Sequence, residues 1–159
     1  MADTGREYPA RPLIGVGAVV LSTKGVVLIQ RGKAPRVGSW SLPGVAQKLG
    51  ETIFDAAIRE IYEETGLDAA VIGLVDVVDS ITHSDDGRVQ YHYTLVDVVA
   101  EADPSFDPAS GSDAQDARWV ALEDLTAFSL WSETERIIRL AHDIWSDPNH
   151  AVRTLRQRS

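Results

Sequence analysis

Residues 50–67, GETIFDAAIREIYEETGL, constrain this chain more than any other stretch. Thr52 followed three residues later by Asp55 has the form of a helix capping box, and Gly66 supplies a stop. Between them Ile53, Ala57 and Ile61, joined by Phe54 and Ile58, recur at helical spacing. The predicted helix carries Glu60, Glu63 and Glu64 at i, i+3 and i+4, three carboxylates about a turn apart on one face, expected opposite the apolar stripe. Like charges so placed repel, by a few tenths of a kcal/mol per pair in water and more when partly buried. A divalent cation between them removes the penalty. The oxygen-only donor set, free of Cys and His, suits Mg²⁺ or Mn²⁺ over zinc and leaves positions open for water and substrate phosphates. The competing reading of such a helix is a solvent-facing polar stripe.

The remaining punctuation places this helix within a mixed fold. Residues 1–12, with Pro9 and Pro12 and no apolar face, read as a flexible leader. The β-branched runs 14–21 and 26–30, joined at Lys24-Gly25, predict a hairpin. Gly32, Pro35, Gly38, Pro43, Gly44 and Gly50 mark 32–51 as an irregular loop anchored by Trp40 and Leu42. Strand-like stretches 70–81 and 89–100 flank Ser84-Asp85-Asp86-Gly87 and predict a second hairpin. Residues 101–116 read as an exposed loop, and 117–121 as a short strand. A last helix is expected from Ser132, with Glu135 completing another capping box, with Ile137, Ile138, Ala141 and Trp145 buried and Pro148 as the stop. Residues 147–159, with Arg153, Arg156 and Arg158, form a basic tail. The expected fold class is α/β (α+β), a mixed β-sheet with helices on both faces, in a single domain over 13–146.

Composition narrows the function classes. The chain has 159 residues, the size of one ordinary domain. With 15 Lys plus Arg against 24 Asp plus Glu, its formal net charge is -9, which disfavours a broad grip on nucleic-acid phosphates. An anionic substrate then needs a local remedy such as a metal. Cys is absent, which excludes disulfides, thiolate nucleophiles and Cys-ligated zinc. No apolar run approaches a membrane span of about 20 residues, and the first eight residues are polar rather than signal-like, so a cytoplasmic protein with no membrane or nucleic-acid polymer as partner is expected.

Glu51, seven residues, Arg59-Glu60-Ile61, one residue, Glu63-Glu64, one residue, Gly66-Leu67 resembles the signature of the Nudix hydrolases. A chance match to its four Glu, one Arg and one Gly in a chain this long has odds on the order of 10⁻⁵. The strands before it, Trp40-Ser41-Leu42-Pro43-Gly44, and Ala117-Arg118-Trp119-Val120 also resemble the family. The resemblance implies a Nudix-like mixed β-sheet sandwiched between helices. It implies a Mg²⁺-dependent pyrophosphohydrolase, Mn²⁺ being a possible substitute, that cleaves the diphosphate of a nucleoside diphosphate linked to another moiety. Residues 84–93 look most like the small ADP-ribose pyrophosphatase-like branch, so ADP-ribose or a related nucleotide sugar is favoured. The alternatives are a house-cleaning nucleoside triphosphate pyrophosphohydrolase and a catalytically weak binding module. A monomer or homodimer is compatible with either.

By the same resemblance Glu60, Glu63 and Glu64, with the Gly44 carbonyl, would hold the metal, and an ion pair between Glu51 and Arg59 would brace loop against helix. The general base is open between Glu60, Glu63 and a remote acid, for which Asp113 and Asp116 are candidates set against a plain turn-forming role. Arg31 is a candidate phosphate contact, equally readable as a surface Arg. Trp40, Tyr91 and Tyr93 are read as stacking or packing residues, and His83 and His92 are given no chemistry. One position departs from the signature: where the family has Gly, six residues before Glu51, this chain has Val45. Val tolerates neither a positive φ nor a close backbone approach, which questions the loop geometry and turnover.

Overall fold

The first long strand is apolar on both sides, and the structure shows why. The computed structural model describes residues 5–33, 36–111, 113–147 and 149. Its elements are β1 (Leu13–Ser22), β2 (Gly25–Arg31), β3 (Trp40–Ser41), β4 (Gly44–Ala46), α1 (Ile53–Thr65), β5 (Ala69–His83), β6 (Val89–Ala102), β7 (Ala114–Val120), a 3₁₀ helix (Leu122–Phe128) and α2 (Ser132–Ser146). The strands form one sheet in the order β3-β2-β1-β6-β5, with β4 paired to β1 and β7 to β2. β1 runs parallel to β6 and antiparallel to β2 and β4, so the sheet is mixed, as expected.

Alternate residues of the central strands enter two separate cores. Val16, Ala18, Val20, Val98 and Ala100 pack with Ala56, Ala57 and Ile61 of α1. Val19, Leu21, Leu28 and Val99 pack with Ile137, Ile138 and Ala141 of α2. Helices therefore cover opposite faces, and a strand buried on both sides reads as a continuous apolar run rather than an alternating one.

The hairpin of β1 and β2 pairs only at its turn, through Leu21 with Val26 and Ser22 with Gly25. The hairpin of β5 and β6 is long and closes at the predicted Ser84–Gly87 turn, whose Gly87 N–H donates to the Ser84 carbonyl at 2.9 Å.

Five local expectations change, the first being that β7 starts three residues earlier than read, at Ala114, and shortens the loop before it. The 32–51 stretch contains β3 and β4, short strands that its breakers concealed. The 3₁₀ helix after β7 was not foreseen. At α2 the N-cap is Trp131, without a side-chain cap, and Glu135 pairs with Arg139 at 2.8 Å instead of closing a capping box with Ser132. The described part of the expected leader is tied down: Tyr8 N–H donates to the Gln90 carbonyl at 2.8 Å, and Arg88 lies 4.3 Å over the Tyr8 ring. Residues 1–4, the predicted stop Pro148 and the tail from 150 onward lie outside the described residues. Among the described residues no helix is long and apolar enough to cross a membrane.

Candidate active site

Thr52 caps α1 by accepting the Asp55 N–H at 3.1 Å, and Gly66 ends it in a left-handed conformation, its N–H donating to the Tyr62 carbonyl. The buried residues are Ala56, Ala57, Glu60, Ile61, Glu64 and Thr65. Glu60 and Glu64 thus belong to the flank of the buried stripe, following Ala56 at i+4 and i+8, and do not face away from it as expected. They are only 5% and 8% exposed. Glu63 diverges from them, its side chain 52% exposed.

Arg59 organises the outer carboxylates. Its Nε and Nη2 hold Glu51 in a fork, at 3.0 Å to Oε2 and 2.8 Å to Oε1. Nη1 reaches Glu63 Oε2 at 3.0 Å and Glu60 Oε2 at 3.5 Å. Glu51 Oε1 also accepts the Lys48 N–H at 2.7 Å, and Gln47 Nε2 donates to the Glu51 carbonyl at 2.7 Å. The loop before α1 is folded around Glu51 and pinned two turns along the helix. The hydrogen bonds from Arg59 and from the Lys48 backbone hold the Glu51 carboxyl down to about 2.

The inner pair behaves oppositely. Burial, then the hydrogen bond and like charge of Glu60, push Glu64 up to about 9, against the Gly44 backbone and Arg31, which favour its ionised form. Burial is also the largest cause raising Glu60. Glu64 Oε2 is buried and has no hydrogen-bond partner among the described residues. Two buried carboxyls, one with an orphaned oxygen, form a hard oxygen donor set, which fits Mg²⁺ or Mn²⁺. Among the described residues no three acidic or His side chains converge as a ready-made cation cage, and Glu63 is engaged by Arg59.

Gly44 stands opposite Gly17 in the register of β4 and β1, and a Cβ on it would lie 3.1 Å from the Val16 carbonyl oxygen. Val45 pairs with Val16 in the same short strand and is not among the residues with positive φ. A β-branched residue is at home in a strand, so Val45 leaves the backbone geometry unstrained.

Arg31 and Asp113 join this group. Arg31 ends β2 and acts electrostatically on Glu64. Asp113 acts on Glu60 as a like charge, its carboxylate pairs with Lys33 at 2.5 Å, and its carbonyl accepts the Gly32 N–H at 3.1 Å. Asp116 is not brought in. Along β7 it shares a face with Val120, which packs in the α2 core, and it pairs with Arg118. Arg118 in turn lies 4.7 Å over Trp40, which meets Phe128 edge-on at 5.2 Å, so Trp40 packs the α2 side.

Sequence reasoning missed two features. The loop after β6 docks on the C-terminal turn of α1, where Gly111 and Ala109 donate to the Glu64 and Thr65 carbonyls at 3.0 and 2.9 Å. A glycine in a loop gives no signal of that contact. On the opposite face Asp97 is 6% exposed and pushed up to about 6, chiefly by burial. It fills the space over Gly17, where a Cβ would lie 2.1 Å from its Oδ1.

Comparison with known proteins places these features in a known context. The family profile of the NUDIX domain matches residues 11–141. The chain is 30% identical to the ADP-ribose pyrophosphatase of Methanocaldococcus jannaschii over 128 residues, 80% of this chain and 72% of that protein. It is 31% identical to putative nudix hydrolase 1 of Caenorhabditis elegans over 130 residues, 79% of this chain but only 33% of that longer protein. The crystal structure of a MutT NUDIX hydrolase from Burkholderia pseudomallei superposes with a TM-score of 0.65 at 30% identity, covering 82% of this chain and 98% of that one.

Proposed function

The chain belongs to the NUDIX family of hydrolases, and from that premise we propose that it cleaves the diphosphate of a nucleoside diphosphate derivative, ADP-ribose or a related nucleotide sugar being favoured. The observation that carries the reading is the buried Glu60–Glu64 pair with its orphaned Glu64 Oε2. The ADP-ribose preference is supported by the methanogen relative's name.

Glu60, Glu64 and the Gly44 carbonyl would hold Mg²⁺ or Mn²⁺, with Glu63 at the solvent side. When bound, the ion supplies charge neutralisation for the phosphates and acidifies a water. Arg59 holds Glu63 at the exposed rim and, through Glu51, fixes the loop that precedes α1. Arg31 offers its guanidinium to a phosphate from the end of β2. The water oxygen bonds to one phosphorus, the bridging P–O bond breaks, and the leaving phosphate takes the electron pair. The water's proton passes to a carboxylate, for which Glu60, Glu63 and Asp113 are the candidates. The place of Asp116 on the α2 face, paired with Arg118, speaks against that role for it. The fit of Val45 in β4 weakens the case for a silent binding module.

The test is product release from ADP-ribose, nucleotide sugars and nucleoside triphosphates with Mg²⁺ or Mn²⁺. Turnover of ADP-ribose to AMP and ribose 5-phosphate, lost in Glu64→Gln, supports the reading. Turnover of triphosphates alone moves it to the house-cleaning alternative, and silence across the panel moves it to the binding module.

A further inference from the structure

The connection between β6 and β7 is strapped to the site at two points. At the first, Gly111 and Ala109 N–H groups satisfy the Glu64 and Thr65 carbonyls at the end of α1, two groups a helix cannot satisfy internally. A Cβ on Gly111 would lie 2.0 Å from the Glu63 carbonyl oxygen and 3.2 Å from Glu64 Cα, so the loop approaches this turn only because position 111 has no side chain. At the second, the Asp113 carbonyl accepts the Gly32 N–H, next to Arg31, and a Cβ on Gly32 would already sit 3.1 Å from that oxygen. The strap thus joins the backbone of Glu64 and Thr65 to the end of β2, and its Asp113 carboxylate, paired with Lys33, acts on Glu60 as a like charge.

Building on the hydrolase reading above, we propose that Gly111 is a positioning residue for the reaction, setting the distance between the Glu63–Glu64 turn and the Arg31–Asp113 side of the site. It touches neither substrate nor metal and acts through Asp113 and the two glutamates. A methyl group at 111 forces loop and helix apart by an ångström or so, and a misplacement of about 1 Å costs up to about a hundredfold in rate.

The experiment compares wild type with Gly111→Ala, the milder Gly32→Ala at the second anchor, and Gly87→Ala. Gly87, at the remote hairpin tip, has φ +85° and open space around it, so its substitution strains the backbone without touching the site. Hydrogen exchange on the metal-free protein is expected to show the amides at 109 and 111 protected in wild type and released in Gly111→Ala. Mn²⁺ affinity, followed by electron paramagnetic resonance, and kcat/KM are expected to fall about tenfold to a hundredfold in Gly111→Ala and less in Gly32→Ala. Gly87→Ala is expected to lower Tm alone. Combined with Asp113→Ala, the Gly111→Ala loss is expected to be smaller than the product of the two single losses.

Should Gly111→Ala not fold, Gly32→Ala carries the same signature. An active wild type whose kcat/KM and Mn²⁺ affinity are unchanged in the strap variants, or whose losses multiply with Asp113→Ala, overturns the proposal alone. A wild type that neither binds Mn²⁺ nor hydrolyses any diphosphate overturns the hydrolase reading and this inference with it.

Discussion

Arg59 and Glu51 are eight residues apart in sequence, yet their side chains form a two-pronged hydrogen-bonded pair at 2.8 and 3.0 Å. A fork of this kind depends on the planar guanidinium, which Lys does not reproduce. Arg59→Lys is therefore expected to lower kcat/KM by tenfold or more while the chain stays folded, because a loose 47–51 loop displaces Glu63 and the start of α1. Steady-state kinetics beside far-ultraviolet circular dichroism checks this, and unchanged kcat/KM would remove the bracing role.

Asp97 gives stability a pH dependence of definite sign. Its carboxyl titrates near 6 in the folded chain against an ordinary 3.8, so the folded state holds the proton more tightly. Below 3.8 the group is protonated in both states. Stability falls as pH rises between the two values, and above 6 the cost is complete, on the order of 2–3 kcal/mol. Asp97→Asn is expected to raise Tm at pH 7.5 and to leave it nearly unchanged at pH 3.5. A lower Tm at both values contradicts the burial argument.

Gly17 and Asp97 occupy one space from adjacent strands. Gly17→Ala is expected to destabilise by about 1–3 kcal/mol through overpacking. In an Asp97→Ala background the same change is expected to cost clearly less, since the clashing oxygen is gone. Denaturant unfolding of the four species measures the coupling, and additive costs would contradict it.

Val45→Gly restores the family residue but removes a strand-favouring side chain from β4. It is expected to cost about 0.5–1 kcal/mol and to leave kcat within a few-fold of wild type. A large acceleration would show that Val45 restrains turnover.

Local signals were read well, and tertiary ones were not. The limits of α1 follow from Thr52 and Gly66, and the β5–β6 turn from Asp86-Gly87, because each depends on residues within a few positions. That Glu60, Glu63 and Glu64 lie near one another also follows from helical spacing. Which of them is buried does not, because the spacing alone does not say that the stripe extends over Glu60 and Glu64 and stops short of Glu63. Asp113 and Asp116 look equivalent as acids of one loop, yet β7 starts at Ala114 and carries Asp116 on its α2 face, while Asp113, ahead of the strand, acts on Glu60. The tie of Gly111 to α1 joins residues nearly fifty positions apart, which no local pattern encodes. The predicted capping box at Ser132 failed because α2 starts one residue earlier, with Trp131 at the N-cap and the Glu135 N–H bonded to the Trp131 carbonyl.

The proposed role of the buried Glu60–Glu64 pair is to hold a divalent cation, and Mn²⁺ titration of wild type, Glu60→Gln and Glu64→Gln followed by electron paramagnetic resonance measures it. Saturable binding is expected in wild type, weakened at least about tenfold in each variant, since each substitution removes a charged oxygen ligand from a buried site. Equal binding in all three proteins, or none in wild type, would contradict it.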